Sequence, residues 1–514
     1  MSLQAAPATN ACDMPASTVT PDKTVAGKLV GRNAMALVAS QFITTPVSMV
    51  VNALLARRLG ASNFGAVYFA TTVLTLAFLL VEWGGTTQVA ADVARDRSSA
   101  PRVFGSGLVL RILLAAIALL AIPYFGRWMH YDSAVQLALT LCGFRMALQS
   151  IGTLCSAVVR GFEKLHWHAV ATVSGNLIDA TLVISTVLAG GGLQAALTAQ
   201  VISAAITAVV QIMLVFRLGI GTPRVDRGTL RALMAGGFSF VVLELVARMQ
   251  PYIDASFLSR LAPPEALGWY SAATRITGVL IFPATTLTFA LYPTLARLWQ
   301  TDRSTCDAMV RLGLRFVMLL GILAGTGTVV FAPLIVRIIY GEAAYAPAAN
   351  TLSILAAYVL LVYTSIIVGT FLVACGRQWR WALAQSFCLV VSVALDPILI
   401  PWTQSRFGNG SLGICMSVVT AEIAMVSFGL LLLPEGPLDR SLVRTLRCSL
   451  LSAFGMAAVG FVLRPYPIVA IPATVATYAG LLWVQRELDP DMLILVPEPV
   501  LNLLHALQRK TSRT

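Results

Sequence analysis

Between residue 34 and residue 485 the chain repeats one pattern: apolar runs of about 20 residues separated by short charged or Gly/Pro-rich breaks. A helix of that length crosses the roughly 30 Å of a bilayer's hydrocarbon core. Only 11% of the 514 residues are Asp, Glu, Lys or Arg, against about 25% in soluble globular chains. These features predict an all-α polytopic membrane bundle of about 14 spans. They lie near 34-57, 65-90, 104-125, 134-159, 169-190, 194-216, 234-259, 268-296, 315-337, 348-375, 380-402, 411-433, 446-463 and 467-485.

The basic residues orient this scheme. Of 36 Lys and Arg, 25 fall on the N-terminal side of the alternating spans and 7 on the other, with 4 inside spans. By the positive-inside rule both ends are expected in the cytoplasm of a cytoplasmic membrane. A net charge of +13 would suit nucleic acid on a soluble basic face, but here it is dispersed through short loops, so no nucleic-acid partner is expected. The longest loop, RLWQTDRSTCDAMVRLG between spans 8 and 9, has roughly 17 residues. No loop of that size houses a catalytic domain, and the chain is not expected to be an enzyme. Residues 1 to about 30 lack the charged and apolar regions of a cleaved signal peptide.

A weak internal repeat divides the spans. Phe64-Gly65-Ala66-Val67-Tyr68 opens span 2 and Leu267-Gly268-Trp269-Tyr270 opens span 8. Arg160-Gly161-Phe162 follows span 4, and Cys375-Gly376-Arg377 follows span 10. Six spans per unit make the two copies parallel. The expected organisation is a disordered tail (1-33), a six-span lobe (34-218), a linker (219-233), a second six-span lobe (234-434), spans 13 and 14 (435-485) and a cytoplasmic amphipathic tail (486-514). Substrate would pass between lobes that rock.

Several local features add to this pattern. They are Leu59-Gly60-x-x-x-Phe64-Gly65, the run Asp254 to Tyr270, Tyr292-Pro293, and Ile339-Tyr340-Gly341-Glu342-Ala343-Ala344-Tyr345. In order and spacing they resemble the polysaccharide lipid flippases (Wzx-type exporters) of the multidrug/oligosaccharidyl-lipid/polysaccharide exporter superfamily. The resemblance implies translocation of an undecaprenyl-diphosphate-linked saccharide for exopolysaccharide, capsule or O-antigen export. It also implies membrane lipid, a polysaccharide polymerase and export machinery as partners. The alternatives are a cation-coupled multidrug or metabolite antiporter and a peptidoglycan-precursor flippase.

Charges inside the spans are the candidate site, because an ionised group near the bilayer centre costs about 2.5 to 3.5 kcal/mol unless it faces a cavity or a partner. Arg145, Arg248, Arg275 and Arg111 are the substrate-binding candidates, since a guanidinium fork matches phosphate oxygens. For Arg111 and Arg275, snorkelling or helix pairing competes with that role. Asp179, Glu244, Asp254, Asp396 and Glu422, with Glu82 a further buried acid, are candidates for coupling H⁺ or Na⁺ or for neutralising the arginines. Glu244 stands four residues before Arg248, and Asp179 corresponds to Asp396 in the repeat. His166 and His168 lack a Cys or acidic cluster, and no cofactor or metal is expected.

Overall fold

The computed structural model describes residues 23–83, 85–341 and 344–487, with the side chains of 23–39, 87, 238–240, 242–243, 246–248 and 289–290 excluded. Fifteen α-helices fill these residues: α1 (Lys23–Glu82), α2 (Gly85–Arg95), α3 (Ala100–Trp128), α4 (Ser133–Gly161), α5 (Leu165–Leu188) and α6 (Leu193–Arg217) come first. Then follow α7 (Arg227–Arg248), α8 (Gln250–Leu261), α9 (Pro264–Thr301), α10 (Arg303–Tyr340), α11 (Ala346–Ala374), α12 (Gln378–Phe407) and α13 (Ser411–Leu432). Last come α14 (Arg440–Val462) and α15 (Pro467–Val484).

Twelve helical stretches are long and apolar enough to cross a membrane. One of them, Ser40–Glu82, has 43 residues, about 64 Å of helix and twice the thickness of a bilayer core. Gly60 (φ 76°) breaks it, a conformation that costs glycine nothing. The two arms then lie side by side: Ser48 of the first donates to Asn176 Oδ1 at 3.4 Å, and Asn176 shares a cavity with Thr75 and Phe78 of the second. Counting the arms separately, and α7 with α8 as one crossing, gives the fourteen expected spans.

Three expectations change. The 17-residue loop between spans 8 and 9 shrinks to Asp302, because α9 runs to Thr301 and α10 starts at Arg303. The Asp302 side chain accepts from the Thr305 amide at 3.1 Å and hydroxyl at 2.6 Å, an N-cap whose hydrogen bonds hold its carboxyl down at about 2. Span 7 is broken into α7 and α8 at Met249, where Pro251 removes an N–H and crowds the preceding turn. Span 2 stops at Glu82 because Trp83 turns left-handed (φ 48°). Helix α1 begins at Lys23, inside the segment expected as a tail; residues 1–22 and 488–514, and with them most of the expected terminal tails, lie outside the described residues.

Among the described residues α1 and α3–α6 pack on one another, and α9–α13 form the second group, with α1 against α9 the main contact between them. Helices α14 and α15 pack on α10. Their end is pinned by Glu487, only 2% exposed, which accepts from Thr445 at 2.8 Å and pairs with Arg444 at 2.8 Å and Arg315 at 3.4 Å. Charged hydrogen bonds contribute about 1.5–3 kcal/mol each. Glu487→Gln is therefore expected to lower the melting temperature and accelerate amide exchange in α15 while α11 keeps its protection; uniform exchange across both helices would show that no such pin exists.

Candidate functional site

The two lobes close on each other at the end of the bundle that carries Gly60. The largest apolar cluster lies there and takes residues from both lobes, including Leu55 and Phe64 of α1, Tyr270 of α9, and Tyr340 and Tyr345 beside α10 and α11. The other clusters of the second lobe, and those of α1–α6, do not bridge α1 and α9 in this way. At the centre of the seal, a Cβ on Gly65 would stand 2.7 Å from the Gly268 nitrogen, and one on Gly268 would stand 2.1 Å from the Ala61 carbonyl oxygen. These glycines are the repeat-related pair from the openings of spans 2 and 8. Equivalent positions that meet each other mark a pseudo-two-fold axis between the lobes.

Polar contacts around the seal obey the same axis. Arg57 Nε donates to the Ile339 carbonyl at 2.9 Å and its Nη2 to that of Ile338, capping the end of α10. Arg260, which is offset from Arg57 as Gly268 is from Gly65, donates to the Met129 carbonyl at 2.5 Å, capping α3. Tyr345 donates its hydroxyl to the Ala56 carbonyl at 3.2 Å, and Tyr131 meets the Ser259 hydroxyl at 3.4 Å. Each lobe thus contributes one arginine and one tyrosine to the other, two reciprocal latches. Sequence reading counted Arg57 and Arg260 as loop charges; their shared offset in the repeat was the signal that they act as a pair.

A cavity of about 540 Å³ lies toward the opposite end, among α4, α5, α6, the second arm of α1 and Glu244 of α7. Arg145, Asp179 and Glu82 line it together with Gln149, Asn176 and His168. Arg145 Nη1 donates to Gln200 Oε1 at 3.1 Å, whereas its Nε is buried without a partner. Asp179 and Ser203 line the cavity on the neighbouring helices α5 and α6. Arg111 does not line the cavity and does not snorkel. It is 3% exposed and its Nη1 donates to the Ser150 carbonyl and, at 2.5 Å, to Thr153 Oγ1, which in turn donates to Glu82 at 2.8 Å. Arg111 thus braces the wall through Nη1, while its Nη2 is buried without a partner.

Arg275 comes from α9 in the other lobe and stacks its guanidinium 5.6 Å above the Phe64 ring. Its Nε is also buried and unpartnered. No carboxylate lies within salt-bridge distance of the Arg145 or the Arg275 guanidinium among the described residues. A guanidinium held in a poorly hydrated place without a carboxylate is stabilised by an anion from outside the chain. Arg248 ends α7, and its side chain lies outside the described residues.

The remaining acids sit apart in the second lobe. Asp254 on α8 and Asp396 on α12 are both buried, and the two helices pack on each other. Ser417 donates to Asp396 Oδ1, and Ser417 and Ser392 meet at 3.4 Å. Asp254 Oδ1 and Asp396 Oδ2 are buried without partners. Glu422 accepts from Ser365 between α13 and α11.

Comparison with known proteins places this geometry. A family model described as "Polysaccharide biosynthesis protein" matches residues 30–299, and the MatE model matches residues 240–398. No curated protein matches by sequence. Among solved structures, the lipid II flippase MurJ in an inward closed conformation superposes with a TM-score of 0.70 at 11% identity, covering 87% of this chain and 98% of its own. An inward-facing multidrug resistance MATE transporter of the MOP superfamily gives 0.63 at 16% identity, with 81% and 99% covered. A MOP superfamily transporter from Pyrococcus furiosus, titled for the reverse polarity of its binding pocket, gives 0.53 at 17% identity, with 79% and 95% covered. With more than half its length matched by one model and a fold like that of the MurJ and MATE structures, the chain belongs to the polysaccharide biosynthesis protein family.

Proposed function

We propose that the protein translocates an undecaprenyl-diphosphate-linked saccharide precursor across the bacterial cytoplasmic membrane, for exopolysaccharide, capsule or O-antigen export. The observation that carries this reading is that Arg145 and Arg275, one from each lobe, each hold a buried Nε without a partner and have no carboxylate within salt-bridge distance among the described residues. A diphosphate supplies the missing anion, and its bond to both lobes links cargo binding to their relative position. The saccharide enters the cavity beside Arg145 and the polyprenyl chain stays in lipid. The sealed end faces outward, and both termini lie in the cytoplasm, where most loop arginines are. Native mass spectrometry of the protein released from lipid nanodiscs is expected to retain a polyprenyl diphosphate species, lost in Arg275→Gln; retention of ordinary phospholipid alone would refute the assignment.

The Asp254–Asp396 pair is the coupling site of this proposal. Both side chains are buried with a carboxyl oxygen that has no partner, so a proton or Na⁺ supplies the missing positive charge. Asp396→Asn is expected to lower gradient-driven transport about tenfold or more while diphosphate binding changes less than about threefold. Unchanged transport would remove the pair from coupling.

Glu82 and Asp179 favour one second reading, export of an organic cation by the same lobes. It leaves the unpartnered Nε of Arg145 and of Arg275 with no anion, and is the poorer fit.

A further inference from the structure

Phe64 joins the seal to one of the two arginines. It belongs to α1 in the first lobe, stands next to Gly65 and is 1% exposed. Its ring enters a socket made by residues of the second lobe. The Tyr340 and Tyr345 rings each lie 6.3 Å away, centroid to centroid, and the Arg275 guanidinium lies 5.6 Å from the ring centre. The socket is itself braced: Tyr340 and Tyr345 stack at 5.3 Å, and Tyr340 donates its hydroxyl to the Ala272 carbonyl at 3.2 Å, on the same turn of α9 as Arg275.

The repeat shows that packing alone does not ask for an aromatic ring here. Under the offset that relates Gly65 to Gly268, Phe64 corresponds to Leu267 and Arg275 to Thr72. Leu267 is 4% exposed in the same apolar cluster. A leucine therefore fills the equivalent place in the seal where the counterpart of Arg275 is a threonine, and the aromatic ring stands on the side that has the cation. A guanidinium is drawn to the ring by its quadrupole, most strongly where water is excluded. Such a contact orients the planar fork, while the acceptor that its buried Nε lacks is left for a phosphate oxygen to supply.

Resting on the diphosphate reading given above, we infer that Phe64 is a positioning residue that sets the affinity of Arg275 for the headgroup according to the state of the seal. While the lobes are together at the Gly60 end, the ring holds the guanidinium and the diphosphate is bound tightly. When they part there, Phe64 leaves with the first lobe and Arg275 stays with the second. The fork loses its platform, gains water and rotamer freedom, and releases the diphosphate on the side that has opened. By linkage, bound diphosphate favours the sealed arrangement by the same factor.

The test places phenylalanine or its mono-, di- or trifluorinated forms at position 64 of the full-length protein in nanodiscs, and titrates polyprenyl diphosphate without sugar. Fluorine withdraws the negative charge of the ring face and scarcely changes its size. Affinity is expected to fall stepwise with fluorination, by about tenfold in all. Added diphosphate is expected to enrich the short distance between spin labels at exposed Arg58 and Glu265 in the parent, and to do so less in the trifluorinated protein. The same replacements at Phe69, a ring of the same cluster that is also 1% exposed, should leave affinity unchanged. A flat series at position 64, or an equal fall at Phe69, overturns the inference while leaving the diphosphate site standing. If the parent fails to bind the probe, or Arg275→Gln binds it equally, the diphosphate reading falls and the inference with it.

Discussion

Replacing Arg145 and Arg275 together by alanine is expected to reduce transport of the lipid-linked saccharide by about 100-fold or more. Each guanidinium would make charge-assisted hydrogen bonds of roughly 1.5–3 kcal/mol to the diphosphate, and 1.4 kcal/mol is a factor of ten. Each single variant should lose less than the pair, since one fork remains. Arg275→Lys should recover only part of the loss, because an ammonium keeps the charge but not the planar donor set. The fold should tolerate the change, because neither side chain is salt-bridged among the described residues. Export complementation, scored with the amount of protein in the membrane, checks this. Full export by the double variant would exclude the two arginines as the headgroup site.

The second large effect concerns the seal. In Gly268→Ala the added carbon would stand 2.1 Å from the Ala61 carbonyl oxygen, and backbone cannot step aside as a flexible side chain can. Overpacking costs about 1–3 kcal/mol, and here the clash exists only while the lobes are together at that end. The arrangement open at the Gly60 end should gain population by about 5- to 150-fold. Spin labels at exposed Arg58 and Glu265 would report it as a longer distance component absent from the parent. Breaking both latches by Arg57→Ala with Arg260→Ala should act in the same direction but more weakly, since those hydrogen bonds are solvent-exposed. An unchanged distance distribution in Gly268→Ala would mean that the glycine contact does not hold the lobes.

The span pattern was legible because a bilayer allows few backbone solutions, and the repeat at Gly65 and Gly268 already located the axis that the structure places between them. Arg145, Asp179 and Glu244 were visible as charges in apolar runs, and they do share one cavity. Hydropathy could not show that Arg111 is consumed by Thr153 and Ser150, since that depends on how α3 and α4 rotate against each other. Nor could it separate Asp254 and Asp396, which are buried on α8 and α12 of the second lobe, from the acids of the first. The vanished loop at Asp302 has a simple cause. Charged residues such as Arg297, Arg303 and Arg311 interrupt an apolar run without interrupting a helix, and α9 and α10 continue beyond the hydrocarbon boundary.

Movement of the cargo between leaflets tests the central claim most directly. Purified protein is reconstituted into liposomes with a fluorescent polyprenyl diphosphate N-acetylglucosamine, and the fraction exposed to an impermeant reagent is followed in time. Wild-type protein is expected to expose the inner-leaflet pool, and the variant lacking both Arg145 and Arg275 to leave it protected, as in protein-free liposomes. Equal exposure by both proteins, or protection by both while a lipid-free cationic dye is transported, would contradict a diphosphate held between the two lobes.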